Sequence, residues 1–200
     1  MKISFHGAAR TVTGSKHIIT LSNGKQLLLD CGMFQGMGRE TNELNNNFGF
    51  DPATIDYMIL SHAHVDHSGL IPKLVKDGFK GKIYATPATR DLAAALLEDS
   101  AGIQENDIKF ENKRRSLLNL PLLSPLYTTA EAMASLDSFW IVEYHEWIEI
   151  DKDISFCFTD AGHIIGSACV HLRIKENDKI VQITFSGDVG RYRDVILRSP

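Results

Sequence analysis

Cysteine is scarce in this chain: Cys31, Cys157 and Cys169 are the only three in 200 residues, far apart and in no CxxC pair. That excludes a cysteine-rich zinc module and a disulfide scaffold, and an odd, unspaced set reads as the reduced thiols of a cytoplasmic protein. Long apolar runs are missing too. No stretch approaches the ~20 apolar residues of a membrane span, and the opening MKISFHGAAR has no signal-peptide core, so no membrane is expected. An excess of positive charge is also absent, with 21 Lys and Arg against 25 Asp and Glu and a net charge of −4. The overall basic face of many nucleic-acid binders is therefore missing, although a local patch escapes such an average. There is no low-complexity segment and no evident repeat. What remains is an ordinary globular composition, 44% hydrophobic and 23% charged, on a chain long enough for one domain with a core of its own.

The pattern along the chain changes character twice. Residues 2–6 read as a strand and 7–14 as a small, polar loop. Apolar runs at 16–21 and 26–30 flank Asn23-Gly24, a strong hairpin signal. Residues 31–50, rich in Gly and Asn, read as a long irregular loop, a feature that usually has a task. A buried strand at 55–60 is followed by a helix at 69–76 and a strand at 82–85. Thr86-Pro87 has the N-cap and first-turn chemistry of a helix start. Residues 108–118 are charged and read as helical, and Thr128 with Glu131 forms a capping box for a helix through residue 136. Strands follow at 140–144, 147–150, 154–159, 168–174 and 180–185, with the last turn at Glu176-Asn177-Asp178. Two sheets with helices outside fit this order, an α/β fold.

The strand at 55–60 runs directly into Ser61-His62-Ala63-His64-Val65-Asp66-His67-Ser68-Gly69. Imidazole and carboxylate together suit zinc or a similar divalent ion, and burying so many without a partner is costly. Two residues apart in an extended loop, His62 and His64 point the same way, while Asp66 and His67 follow one turn on, able to face a second ion. Paired ions suit hydrolysis at phosphorus or a carbonyl. Asp160-Ala161-Gly162-His163 and Ser186-Gly187-Asp188 each set one ligand-type side chain at a strand end beside glycine. Taken alone, His163 and Asp188 read as ordinary loop residues. His17, in an apolar run, reads as a hydrogen-bonded strand histidine; His6, His145 and His171 have no ligand neighbours. The basic residues Lys109, Lys113, Arg114 and Arg115 alternate with acids and read as a solvated helix face.

The ordered set Asp30, His62-X-His64-X-Asp66-His67, His163 and Asp188 resembles the metallo-β-lactamase superfamily. Gly7-Ala8-Ala9-Arg10-Thr11-Val12-Thr13-Gly14-Ser15, Leu29-Asp30-Cys31-Gly32-Met33-Phe34-Gln35-Gly36 and Asp160-Ala161-Gly162-His163-Ile164-Ile165-Gly166-Ser167-Ala168 make the chain similar to the β-CASP branch of RNA- and DNA-processing nucleases. The resemblance implies the αββα sandwich, N-terminal portion, and two Zn2+ ions, with manganese or iron as other candidates. It implies that His62, His64 and His163 hold the first ion, that Asp66 and His67 hold the second, and that Asp188 bridges them. Asp66 would also orient the shared hydroxide that acts as nucleophile, and Asp30 would position the histidine loop through hydrogen bonds; from the sequence alone, Asp30 reads equally as a strand-end turn residue.

The resemblance also implies a cap domain and a further closing histidine after Asp188, and neither stands before Pro200. The chain is therefore expected to be the N-terminal part of a longer protein, with an incomplete second site, little activity alone and an apolar face prone to self-association. RNA is the expected substrate, with single-stranded DNA next. The alternatives are a small-molecule thioester or lactone hydrolase of the same superfamily, and a non-catalytic scaffold of an RNA-processing complex.

Overall fold

A computed structural model describes residues 1–177 and 179–200; Asp178, the end of the expected last turn, lies outside the described residues. Among the described residues, ten strands form two sheets. The first contains β1 (Lys2–Gly7), β2 (Lys16–Thr20), β3 (Gln26–Leu29), β4 (Tyr57–Ile59), β5 (Lys82–Ala85) and β6 (Phe139–Ile141), in that spatial order. Its β1–β2–β3 edge is antiparallel, and β3 to β6 run parallel. The second sheet, in the order β10 (Lys179–Phe185), β9 (Ala168–Glu176), β8 (Ile154–Asp160), β7 (Ile148–Asp151), is antiparallel throughout.

The strand period of two sorts side chains between two cores. Leu27, Leu29 and Ile59 face Phe156, Phe158, Val170 and Leu172 between the sheets. Leu28 and Met58 face the other way, onto α3 (Ile71–Lys76), α4 (Pro87–Leu117) and α5 (Thr129–Ser135) through Leu74, Leu97 and Ala132. The layers are thus helix, sheet, sheet. The central strands carry apolar residues on both faces, as parallel strands between two layers must. No described helix is long and apolar enough to cross a membrane.

Three expectations are corrected. Residues 31–50 are not wholly irregular: a six-residue helix, α1 (Thr41–Asn46), lies there. It carries no apolar period to betray it, and is held by the buried Asn45 amide, whose Oδ1 accepts from Phe34 N at 2.8 Å while Nδ2 donates to Phe34 O at 3.0 Å. The helices expected after residue 86 and at 108–118 are one helix of 31 residues. Gly102 costs it about 1 kcal/mol against alanine without breaking it, because Ala93, Leu97 and Ala101 lock the preceding turns onto the sheet. The strand expected at 140–144 is only β6; Tyr144 bridges to Phe158 in the second sheet, a switch between layers that alternation cannot show.

Candidate metal centre

Tight turns at the carboxyl ends of the parallel strands build the site. Leu60 N still donates to Tyr84 O, so β4 feeds the histidine loop from the middle of the sheet. The chain then coils into α2 (Val65–Ser68), whose Asp66 stands in the first turn and His67 in the last. Ser68 Oγ ties this turn back, donating to Ala63 O at 2.8 Å and His64 O at 3.1 Å.

Asp30 organises the loop. It follows β3 in the left-handed region, φ +59°, where aspartate is among the better tolerated non-glycine residues, and is fully buried. Its Oδ1 accepts Ser61 N at 2.8 Å. Its Oδ2 takes Ser61 Oγ at 3.0 Å, Ser15 Oγ at 3.2 Å and His67 Nδ1 at 2.7 Å. One carboxylate therefore sets the start of the histidine loop and the tautomer of His67, leaving Nε2 free to bind an ion. Close packing at Gly32 completes the support: a Cβ there would lie 1.6 Å from Asp66 O. Lys16, fully buried, donates to Gly14 O at 3.1 Å and Gly32 O at 2.8 Å, with burial pushing its pKa down to about 8.

His163 and Asp188 arrive from the second sheet. The loop after β8 is pinned by Ser167 Oγ, which accepts His163 N at 3.1 Å and Ile164 N at 3.2 Å. Thr86 and Thr89 at the start of α4 both donate to Gly166 O, at 2.7 and 2.8 Å. Ala168 N donates to Ser61 O at 2.9 Å, joining the second sheet to the histidine loop.

The result is a cluster in which ligand atoms of His62, His64, His163 and Asp188 all lie within 4.8 Å of one another. His64 Nδ1 is 3.2 Å from both His62 Nε2 and His163 Nε2. Bonds of about 2.0–2.1 Å to a tetrahedral divalent ion would set its ligand atoms roughly 3.4 Å apart, so the donor spacing fits such an ion. Protonation agrees. Burial, helped by the neighbouring imidazoles His67, His64 and His163, pushes His62 down to about 2; burial and His163 lower His64. Both rings are thus neutral at ordinary pH and have a lone pair to give.

His67 and Asp66 stand beside this cluster rather than in it. Asp188 lies between: its Oδ2 is 3.5 Å from His163 Nε2 and its Oδ1 3.4 Å from His67 Nε2. Asp66 Oδ2 is 4.0 Å from His67 Nε2. Burial opposes protonation of His67, but the Asp30 hydrogen bond and charge, with Asp188 and Asp66, raise its pKa overall.

Residues 17–200 match the metallo-beta-lactamase superfamily. The chain belongs to that superfamily. It is 36% identical over 200 residues to Ribonuclease TTHA0252 of Thermus thermophilus, a match that takes in 100% of this chain and 40% of that protein. It is 31% identical over 189 residues to Transcription termination factor FttA of Methanosarcina mazei, across 94% of this chain and 27% of that protein. The chain thus spans well under half the length of these relatives. A solved metallo-beta-lactamase of Cronobacter sakazakii with a HARLDQ motif superposes with a TM-score of 0.54 at 17% identity, over 92% of this chain and 55% of that one. That likeness speaks for the fold. Superfamily membership and the imidazole–carboxylate cluster together make this a divalent-metal site.

Several residues of this metallo-beta-lactamase site carried no signal in the sequence. Ser15, Ser61 and Ser167 are isolated serines whose partners lie 15 or more residues away or turn on loop geometry. Ser61, directly before the histidine run, offered the one positional hint. His17 departs from its expectation: its Nε2 is 3.4 Å from Ser15 Oγ, but its buried Nδ1 has no partner among the described residues. The ring is held instead edge-on by Phe5 and Phe185. His145 and His171 stand apart from the cluster, His171 between Thr159 and Thr184.

Proposed function

We propose that this chain is the metal-holding part of a zinc-dependent phosphodiesterase of the β-CASP type, acting on RNA. The observation that carries the reading is the convergence of three imidazole nitrogens and the Asp188 carboxylate, with the same carboxylate reaching towards His67. His62, His64 and His163 would hold one zinc ion, Asp66 and His67 a second, and Asp188 both. Bound ions would lower the pKa of water and balance charge on the phosphate. Asp66, partly exposed beside His67, would orient that water and accept its proton. Asp30 keeps His67 in the ligand tautomer. RNA is favoured over DNA and over small esters by the relative named as a ribonuclease.

The test is cleavage of end-labelled single-stranded RNA by the complete reading frame, with single-stranded DNA and a thioester alongside and a chelator as control. Chelator-sensitive cutting of RNA is expected. Intact RNA with rapid thioester turnover would replace the nuclease by a small-molecule hydrolase, and zinc binding with no turnover of any of the three would favour a scaffold.

A further inference from the structure

Helix α4 has two faces. Ala93, Leu97 and Ala101 bury one against the sheet. On the opposite side Ile103, Phe110 and Leu117 recur every seven residues and are 54%, 69% and 85% exposed. A seven-residue step falls about 20° short of two full turns, so the three form a nearly straight apolar stripe. The following segment does not cover it. Residues 118–126 return along a different flank, where Asn112 exchanges hydrogen bonds with the Leu123 backbone at 2.9 and 2.8 Å and Arg115 Nε donates to Pro121 O at 2.6 Å. Asn112 lies roughly 200° and Arg115 roughly 140° around the helix from Phe110.

Charge along the stripe is polarised. Within roughly 60° of the stripe the exposed acids Asp99 and Asp107 precede Phe110 and the exposed bases Lys113 and Arg114 follow it, while Glu98, Lys109 and Glu111 lie roughly 100–120° round the helix. A parallel neighbour would set like against like. An antiparallel copy, related by a two-fold axis at Phe110, sets Ile103 against Leu117 and Phe110 against Phe110. Along one edge, Asp107 of one copy then meets Arg114 of the other. Arg114 is free to turn there, since it is 73% exposed and held only by Glu111 at 3.5 Å. Self-complementary patches of this kind are what a two-fold interface demands, and the edge pairing is that of an antiparallel helix pair.

We propose that the exposed stripe of α4 is a homodimer interface in which two copies pair antiparallel about Phe110. This uses no residue of the metal centre and stands apart from the functional reading.

Sedimentation equilibrium of the 200-residue chain tests it. The wild type is expected to be a reversible dimer, weakened by raising the salt. Phe110→Glu is expected to be monomeric with an unchanged melting temperature, because the side chain is exposed. Asp107→Arg is expected to weaken the dimer roughly tenfold, through two symmetric edge pairs. Adding Arg114→Asp to that variant is expected to restore it, which a parallel pair would not allow. A monomeric wild type would overturn the proposal and leave the stripe to another segment or another protein. A dimer that survives Phe110→Glu, or charge reversals that fail to compensate, would overturn it equally.

Discussion

Asp30→Ala is expected to cost about 3–5 kcal/mol of stability and to abolish tight metal binding. The carboxylate is fully buried and accepts Ser15 Oγ, Ser61 N, Ser61 Oγ and His67 Nδ1. Alanine would leave a buried backbone amide and a buried imidazole N–H without acceptors, and would sit poorly at φ +59°. Asp30→Asn separates the two consequences. Asparagine tolerates the left-handed backbone and can still accept Ser61 N. Its amide, however, presents a donor to His67 Nδ1, which drives the ring proton to Nε2, the atom facing Asp188 and Asp66. Asp30→Asn is therefore expected to melt near the wild type yet bind metal tenfold to a hundredfold more weakly. Chemical denaturation with metal titration checks both variants. A stable Asp30→Ala with normal metal affinity would remove Asp30 from the account.

Asp66→Ala is expected to be the reverse case, with the fold kept and turnover lost. The Asp66 side chain is partly exposed in the first turn of α2. Its structural service is rendered by the backbone, whose carbonyl accepts Ser15 N at 2.9 Å, and alanine keeps that carbonyl. A stability change within about 1 kcal/mol follows. On the proposed reading Asp66 would orient the attacking water and hold an ion, and its loss is expected to lower turnover by about a thousandfold. Initial rates on RNA with the complete reading frame, set beside melting curves, measure it. Retained turnover would show that Asp66 neither holds an ion nor moves a proton.

What could be read from the sequence divides along contact range. The histidine run was legible because its donors are contiguous and leave a buried strand, and the capping box at Thr128 and Glu131 because both partners fall within one turn. His163 and Asp188 offered only a ligand-type residue beside glycine. Their place opposite His64 depends on how the second sheet seats, through Ala168 and Ser61, on the first. Ser15 and Ser167, which support Asp30 and His163, were silent, since a lone serine has no pattern. Lys16 was concealed by its setting: in an apolar run it is fully buried, and the carbonyls of Gly14 and Gly32 with the Phe34 ring explain it. Helix α1 rests on one asparagine amide rather than an apolar face, so hydrophobic periodicity could not find it.

The central claim is that imidazoles from two sheets hold a divalent ion. The measurement that meets it most directly is bound metal per chain, by elemental analysis after dialysis, for the wild type and His64→Ala. His64 Nδ1 stands 3.2 Å from both His62 and His163, so its loss removes the donor at the middle of the set. The wild type is expected to retain zinc and His64→Ala to lose most of it at an unchanged fold. Equal metal in both proteins, or none in either after zinc loading, would contradict the account.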